Sequence, residues 1–298
     1  MNLPHHFMLL SLVLLLPGIA SAETSEWIGR KFMPRQEATF KVRAETVSSE
    51  AIPLPLVPTV DRNKWVWVGS GWVKKIHLIP MEEAANYYSQ LSAKEPHKPW
   101  PHYHLAATQH SQGNIAEALA GYSKVIQLDP QFPAAYLSRG NIYIDQGDAD
   151  RAISDFTTAL RLKPESSEAF NLRGVAHGAK NNYDRALQDF GSAVRLNPAN
   201  TTALNNRGWM LATCPDDQYR SGKQALADAT KACELTKYNR PEILDTLAAA
   251  AAETGDFAAA IRWIEKALEL VPVQSETHKS FSERLSLYQN SKPYRLAK

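Results

Sequence analysis

Apolar and polar positions follow two different rhythms along this chain. From Glu23 to about Pro80 they alternate. Gly29-Arg-Lys-Phe-Met33, Ala38-Thr-Phe-Lys-Val42 and Lys64-Trp-Val-Trp-Val68 carry the two-residue period of half-buried strands. Gly69-Ser-Gly71 reads as a tight turn, and Trp72-Val-Lys-Lys-Ile-His-Leu-Ile79 resumes the strand pattern. The prolines of Ile52-Pro-Leu-Pro-Leu-Val-Pro58 remove ladder donors, which predicts a loop or an edge there. From Met81 the period becomes helical, with a longer one laid over it. Pro96, Pro130, Pro164 and Pro198 each stand 34 residues after the last. Proline stops a helix, and a 34-residue unit closed by proline is what a helix–turn–helix solenoid requires.

Aligned on those prolines, Ala118, Ala152 and Ala186 share one position, and Tyr122, Phe156 and Phe190 lie four residues on. Val125, Ala159 and Ala193 follow three further along. On the first helix of each unit Gly140, Gly174 and Gly208 coincide, and Gly113 and Gly147 occupy the turn. Small residues recur where helices touch and aromatics where the next helix packs, which is a core pattern. It predicts units at 99–132, 133–166, 167–200, 201–240 and 241–274. The fourth has a longer turn, Cys214-Pro-Asp-Asp-Gln-Tyr-Arg-Ser-Gly222. In front, residues 81–98 place Ala84, Tyr88 and Leu91 in the register of a second helix without its first, a piece predicted to cap the solenoid and weld it to the strand region. Behind, 275–298 hold a closing helix (Phe281, Leu285, Tyr288) and a tail, since a solenoid must cover its last apolar face.

The repeated units resemble tetratricopeptide repeats, and several positions recurring together make that match specific. The segment 23–80, with its short strands, Trp65, Trp67 and Trp72 and a Gly-Trp-Val close, resembles a bacterial SH3-like barrel. The resemblances imply a mainly α fold: a right-handed tetratricopeptide solenoid of about five helix pairs behind a small SH3-like β-barrel. The combination also has a characteristic rear half, with Leu211-Ala-Thr-Cys-Pro-Asp, Lys231-Ala-Cys-Glu-Leu-Thr236, Leu244-Asp-Thr-Leu-Ala-Ala249 and Leu287-Tyr-Gln-Asn-Ser-Lys-Pro-Tyr-Arg295. As a whole it is similar to a family of exported planctomycete tetratricopeptide proteins, a match that adds architecture and little function.

Composition narrows the classes. The 298 residues are 44% hydrophobic and 21% charged with a net charge of +2, and no block of like charge marks a nucleic-acid surface or an acidic tail. Residues 1–22 stand apart. An apolar run from Phe7 to Leu15, the breaker Pro17 and Ala20-Ser21-Ala22 fit a secretory signal peptide and are short for a bilayer span. The opening Met-Asn-Leu-Pro-His-His lacks Lys and Arg, which leaves an uncleaved anchor as the alternative. The expectation is a mature chain from Glu23 that is exported, periplasmic or extracellular, with no stable membrane span once the signal is removed. Two cysteines, Cys214 and Cys233, make no disulfide scaffold. They fall near opposite ends of an antiparallel helix pair, where a dozen residues rise roughly 18 Å against the ~6 Å a bridge tolerates. Buried free thiols are expected.

The candidate chemistry lies in columns of the repeat. Arg139, Arg173 and Arg207 precede the recurring glycine, and Asp155, Asp189 and Asp228 share a position on the facing helix. In the first unit those two positions are Leu105 and Gly121, and in the fifth Leu247 and Trp263. Charges that come and go as pairs read as intra-repeat salt bridges rather than an arginine ladder for acidic ligands. The tetratricopeptide resemblance implies a concave groove lined by the first helices, here by Trp100, Tyr103, Asn141, Asn171, Asn205, Trp209 and Asp245 among others. Asparagine can hydrogen-bond a bound peptide backbone through donor and acceptor together, or simply knit neighbouring helices. Groove positions carry no Lys or Arg, which excludes a clamp for a terminal carboxylate.

His97, His102, His104 and His110 lack the spacing of metal ligands and read as surface or packing residues. No phosphate loop, nucleophile elbow or zinc-protease helix is present in the sequence, so no catalytic, metal or cofactor site is expected. Trp65 and Trp67 point to one face of their strand, as barrel core or as a platform for proline-rich or cell-wall peptides. The function expected is a non-catalytic exported adaptor holding a peptide or protein partner in the groove, with no nucleic acid. The alternative is an envelope protein whose SH3-like domain grips peptidoglycan or another wall polymer, the repeats serving as an assembly arm.

Overall fold

The computed structural model describes residues 30–34, 39–42, 45–48, 55–56, 58–62, 64–67, 72–75 and 78–296. The signal-peptide region 1–22 lies outside them. The chain divides into two compact units, Met1–Tyr87 and Tyr88–Lys298, described in turn.

In the first unit the described strands are β1 (Phe32–Pro34), β2 (Thr39–Val42), β3 (Glu45–Ser48), β4 (Val60–Arg62), β5 (Trp65–Trp67), β6 (Trp72–Lys74) and β7 (Leu78–Pro80). They form one five-stranded antiparallel sheet in the order β3-β2-β6-β5-β4 and a separate pair, β1-β7. The run predicted as one strand from Trp72 to Ile79 is therefore two, in different sheets. Lys75 donates its amide to Lys64 at 2.9 Å, and the chain leaves the larger sheet there. β3 and β4 escape the sequence pattern, because three or four residues are too few to establish alternation. Phe32 exchanges both backbone hydrogen bonds with Leu56 at 2.8 Å in an isolated antiparallel bridge; residues 52–54 and 57 of the proline-rich run lie outside the described residues. Phe32, Met33, Leu56, Val73, Leu78, Ile79 and Ala84 form the buried apolar set. The side chains of Trp65, Trp67 and Trp72 are outside the described residues.

The second unit is helical. Helix α1 (Met81–Lys94) begins in the first unit and ends in this one. Five helix pairs follow: α2 (Pro99–Ser111) with α3 (Ile115–Leu128), α4 (Pro133–Asp145) with α5 (Ala149–Leu162), and α6 (Ser167–Ala179) with α7 (Tyr183–Leu196). Then come α8 (Thr201–Thr213) with α9 (Gly222–Leu235), α10 (Pro241–Glu253) with α11 (Phe257–Glu269), and the single helix α12 (Glu276–Gln289). First helices start in one of two ways. Pro99, Pro133 and Pro241 open α2, α4 and α10, where the missing amide costs nothing. Ser166 and Asn200 cap α6 and α8 by accepting from Ala169 N and Ala203 N. The 34-residue prolines stand one residue past the C-caps Asp129, Lys163 and Asn197. Gly113 and Gly147 take positive φ, 83° and 76°, between paired helices, and Asn181 holds the same turn at 58°.

Within a pair, a missing side chain sets the helix separation. A Cβ on Gly140 would stand 2.6 Å from the Phe156 ring, and one on Gly174 would stand 2.7 Å from Phe190. The first pair reverses the device. Ala106 holds the glycine position and Gly121 faces it, where a Cβ would come 2.7 Å from Ala106 Cβ. In each case one backbone yields to the other helix's bulk. Gly174→Ala should therefore cost about 1–3 kcal/mol by overpacking against Phe190, read as a lower denaturant midpoint at unchanged slope.

Candidate functional site

The recurrent charges meet at the seam between paired helices. Arg139 on α4 donates from Nε and Nη2 to both oxygens of Asp155 on α5, each at 2.8 Å. Arg173 on α6 does the same to Asp189 on α7 at 2.8 Å, and Arg207 on α8 to Asp228 on α9 at 2.6 and 2.7 Å. The aspartates are almost fully enclosed and the arginines about one-fifth exposed. A third arm escapes the pairwise reading: Arg139 Nη1 also donates to Ser123 at 3.0 Å and Arg173 Nη1 to Thr157 at 3.3 Å. Ser123 and Thr157 lie 34 residues apart, and the next member of that column is Gly191, which offers no hydroxyl to Arg207. Each arginine in the first two cases thus ties its own pair to the preceding one. These ligand-like forks are spent on the fold.

The first-helix positions are graded along the solenoid. On α2 and α4, Trp100, Tyr103, Ala107, His110, Ala134, Leu137, Asn141 and Ile144 are all half-buried. Tyr103 leans on Phe132 and Tyr122, with ring centroids 5.1 and 5.7 Å away, so much of its ring belongs to the core. On α6, Val175 is half-buried, but Asn171 is enclosed and accepts from Asn206 Nδ2 of α8 at 3.0 Å. Asn171 knits first helices together. Asn205 is half-buried, and its Oδ1 finds no hydrogen-bond partner among the described residues.

Towards the rear the surface closes. Asp245 on α10 is buried and receives Arg284 Nε of α12 at 2.7 Å. Burial pushes the Asp245 carboxyl up to about 6 against the pull of Arg284. The Arg284 guanidinium also lies 5.5 Å from the Trp209 ring centroid and 5.1 Å from that of Tyr294. Ser291 takes φ 55° after α12 and turns the chain back. The segment 293–296 then returns along the end of α8. Tyr294 packs on Trp209 with centroids 5.7 Å apart, Arg295 Nη1 donates to Ala212 O at 3.2 Å, and Leu296 N donates to Thr213 O at 2.9 Å. Arg295 also pairs with Glu253, whose other oxygen receives Arg220 at 3.2 Å. Arg220 comes from the long turn of the fourth pair and donates to Cys214 O at 2.9 Å. Ala212, Ala249 and Ala252, groove positions by register, are buried. Sequence reasoning missed this network because α12 and the tail lie outside the repeat and have no column to align with.

Models of protein families described as TPR repeat match residues 108–147 and 140–180, and those described as tetratricopeptide repeat match 171–213 and 241–273. This is a tetratricopeptide repeat protein. No curated protein matches the chain by sequence. Among solved structures, YrrB, described as a TPR protein with an unusual peptide-binding site, aligns at 22% identity and a TM-score of 0.52 over 67% of this chain and 99% of its own. Cut9 with Hcn1, an APC/C hetero-tetramer, aligns at 21% and 0.60 over 71% of this chain and 40% of its own. Yeast Tom70 aligns at 19% and 0.53 over 69% and 43%. At these identities the likeness is one of fold.

Three further features of the tetratricopeptide unit bear on chemistry. Cys214 and Cys233 are buried free thiols, both pushed upward by burial, Cys233 to about 12, so neither is a ready thiolate. The histidines do not converge. His104 is enclosed, stacks on Tyr88 with centroids 5.2 Å apart and meets Trp100 and Tyr103 edge-on, whereas His97 is exposed. Among the described residues no group of three or more His, Cys, Asp or Glu is placed to hold a metal, and no helix is long and apolar enough to cross a membrane.

Two measurements follow from this geometry. Asp189→Ala leaves Arg173 without its fork and should cost about 2 kcal/mol, read by denaturant melts. Burial pushes the His104 imidazole down from 6.5 to about 4. The folded state thus binds its proton less readily than the unfolded chain. The stability this confers is full above pH 6.5 and lost as pH falls towards 4, a change of about 3 kcal/mol. His104→Phe, which keeps a ring against Tyr88, should remove that part of the acid sensitivity.

Proposed function

We propose that this chain is a non-catalytic, exported adaptor that holds an extended peptide or protein partner on the concave face made by its first helices. The observation that supports the reading is where the chain's own segment 293–296 lies. Residues 293–296 lie across the ends of α8 and α10, held by a backbone hydrogen bond, a ring contact and an ion pair. Such main-chain plus side-chain capture is how repeat grooves hold extended segments. Ahead of the occupied end, half-buried Asn141, Val175 and Asn205 continue the row. Asn205 offers an enclosed carbonyl oxygen with no partner among the described residues. YrrB, which shares the fold, is described as having a peptide-binding site. Export rests on the apolar run of residues 7–15 and Ala20-Ser21-Ala22, and the strand unit is an SH3-like accessory in the same proposal.

Asn141→Arg with Asn205→Arg tests the groove without touching the Asn171–Asn206 bond. The double variant should lose a partner captured from the source organism's envelope extract by at least about tenfold in affinity, at unchanged helicity and melting temperature. Equal capture at equal stability overturns the reading.

A further inference from the structure

We propose that segment 293–296 is an exchangeable stand-in for the partner, and that the rear of the groove selects peptides in which an aromatic residue is followed by arginine. The inference rests on the groove being a peptide surface and adds its specificity and its regulation. The geometry supplies three subsites in a row. Trp209 and the Arg284 guanidinium form two walls around the Tyr294 ring, at 5.7 and 5.1 Å, a setting that favours a π-face over an aliphatic side chain. Next, Glu253 and the Ala212 carbonyl receive the Arg295 guanidinium from two directions. One nitrogen of the planar guanidinium donates to the Ala212 carbonyl while another pairs with the Glu253 carboxylate by charge, a division that a single lysine ammonium makes less well. Last, the Thr213 carbonyl takes the Leu296 amide at 2.9 Å, a contact blind to side chain that fixes chain direction. Tyr294, Arg295 and Leu296 all remain only partly buried, as a docked segment does and a core segment does not.

The surface beneath is also prepared to receive. Arg220, from the long turn peculiar to the fourth pair, holds the Glu253 carboxylate while donating to Cys214 O, so the acceptor for Arg295 is oriented by groups other than the tail. Asp245 holds Arg284 in place from α10. Removing the tail leaves the aromatic wall and the carboxylate standing. A foreign peptide of the same chemistry therefore competes with the tail, and its apparent affinity is reduced by the fraction of molecules in which the tail is docked.

The test uses the full chain and a fluorescein-labelled Lys-Pro-Tyr-Arg-Leu peptide. Tyr294→Ala with Arg295→Ala should bind the probe at least about tenfold more tightly than the unmodified chain. A probe with Ala in place of Tyr, or Glu in place of Arg, should lose that gain. Equal, weak binding by both proteins at matching melting temperatures overturns the proposal, even where the Asn141 and Asn205 variants still abolish partner capture. If the double variant does not fold, amide exchange in the unmodified chain decides. Leu296 N–H should exchange at least about tenfold faster than Cys214 N–H on the adjoining helix end, and exchange of both only by global unfolding marks a fixed cap and overturns it. A concentration-dependent dimer of the unmodified chain that the double variant does not form would assign the site to a second copy and likewise overturn the foreign-peptide reading.

Discussion

The helical unit depends on how closely two paired helices approach, and in the first four pairs a glycine stands at the seam where they meet. Gly140 and Gly174 let the Phe156 and Phe190 rings lie almost on a helix backbone. The arginine one residue before each glycine then falls within reach of the aspartate one residue before each phenylalanine. Position by position the arrangement is forced. Removing the glycine moves the helices apart, and the fork between Arg and Asp opens with them. In the first pair Ala106 holds the glycine position, Gly121 holds the aspartate position and Leu105 that of the arginine, so the close approach is kept with Tyr122 in the aromatic column and without the charges. At Gly208 no ring is met, an added Cβ would stand 3.3 Å from the Ala225 carbonyl oxygen, and the Arg207–Asp228 fork persists at 2.6 and 2.7 Å. The close approach is therefore what the charges need, and the ring is one way of filling it.

These enclosed forks cost desolvation on both sides, so their net stabilisation is modest even though losing one partner is expensive. Their effect is on register. A bidentate Arg–Asp pair with a third bond from Arg139 to Ser123, or from Arg173 to Thr157, specifies which turn of one helix faces which turn of the next. Repeating that specification at 34-residue intervals stacks the first helices evenly, and an even stack is what makes a continuous binding row from separate helices.

How much of this was legible follows from what repeats. Helix pairs, the glycine and aromatic columns and the Arg–Asp partners recur at a fixed interval, so a single chain serves as its own alignment. Groove positions came only through the likeness to tetratricopeptide repeats, and their fates divide. Asn141, Asn205 and Trp100 lie on a partly open surface, Asn171 is used up by Asn206, and Asp245 faces Arg284 from a helix 39 residues away. The closing helix itself was legible, but nothing in the register of α10 foretells that Arg284 on α12 meets Asp245, because a closing helix has no following copy to be compared with. In the strand unit the signal fails differently. Alternation carries no mark for the point where Trp72–Lys74 and Leu78–Pro80 part into separate sheets, since both sides keep the same two-residue period.

The construction of the groove's rear bears on the exchange proposed for segment 293–296. Helix α10 is buried from Ile243 to Ala252, and its groove row past Asp245 is alanine, with Ala249 and Ala252 in the register of Asn141 and Ile144. Alanine methyls each add little to the hold on a neighbouring segment, since apolar area is worth about 25 cal/mol per Å². The polar contacts argue the same way. When Arg295 leaves Glu253, Arg220 still neutralises the carboxylate, so no charge is stranded without a partner. On the proposed reading, a carboxylate with a second arginine and an aromatic wall fixed from behind by Asp245 and Arg284 let the segment leave without stranding a charge and favour the return of the same chemistry.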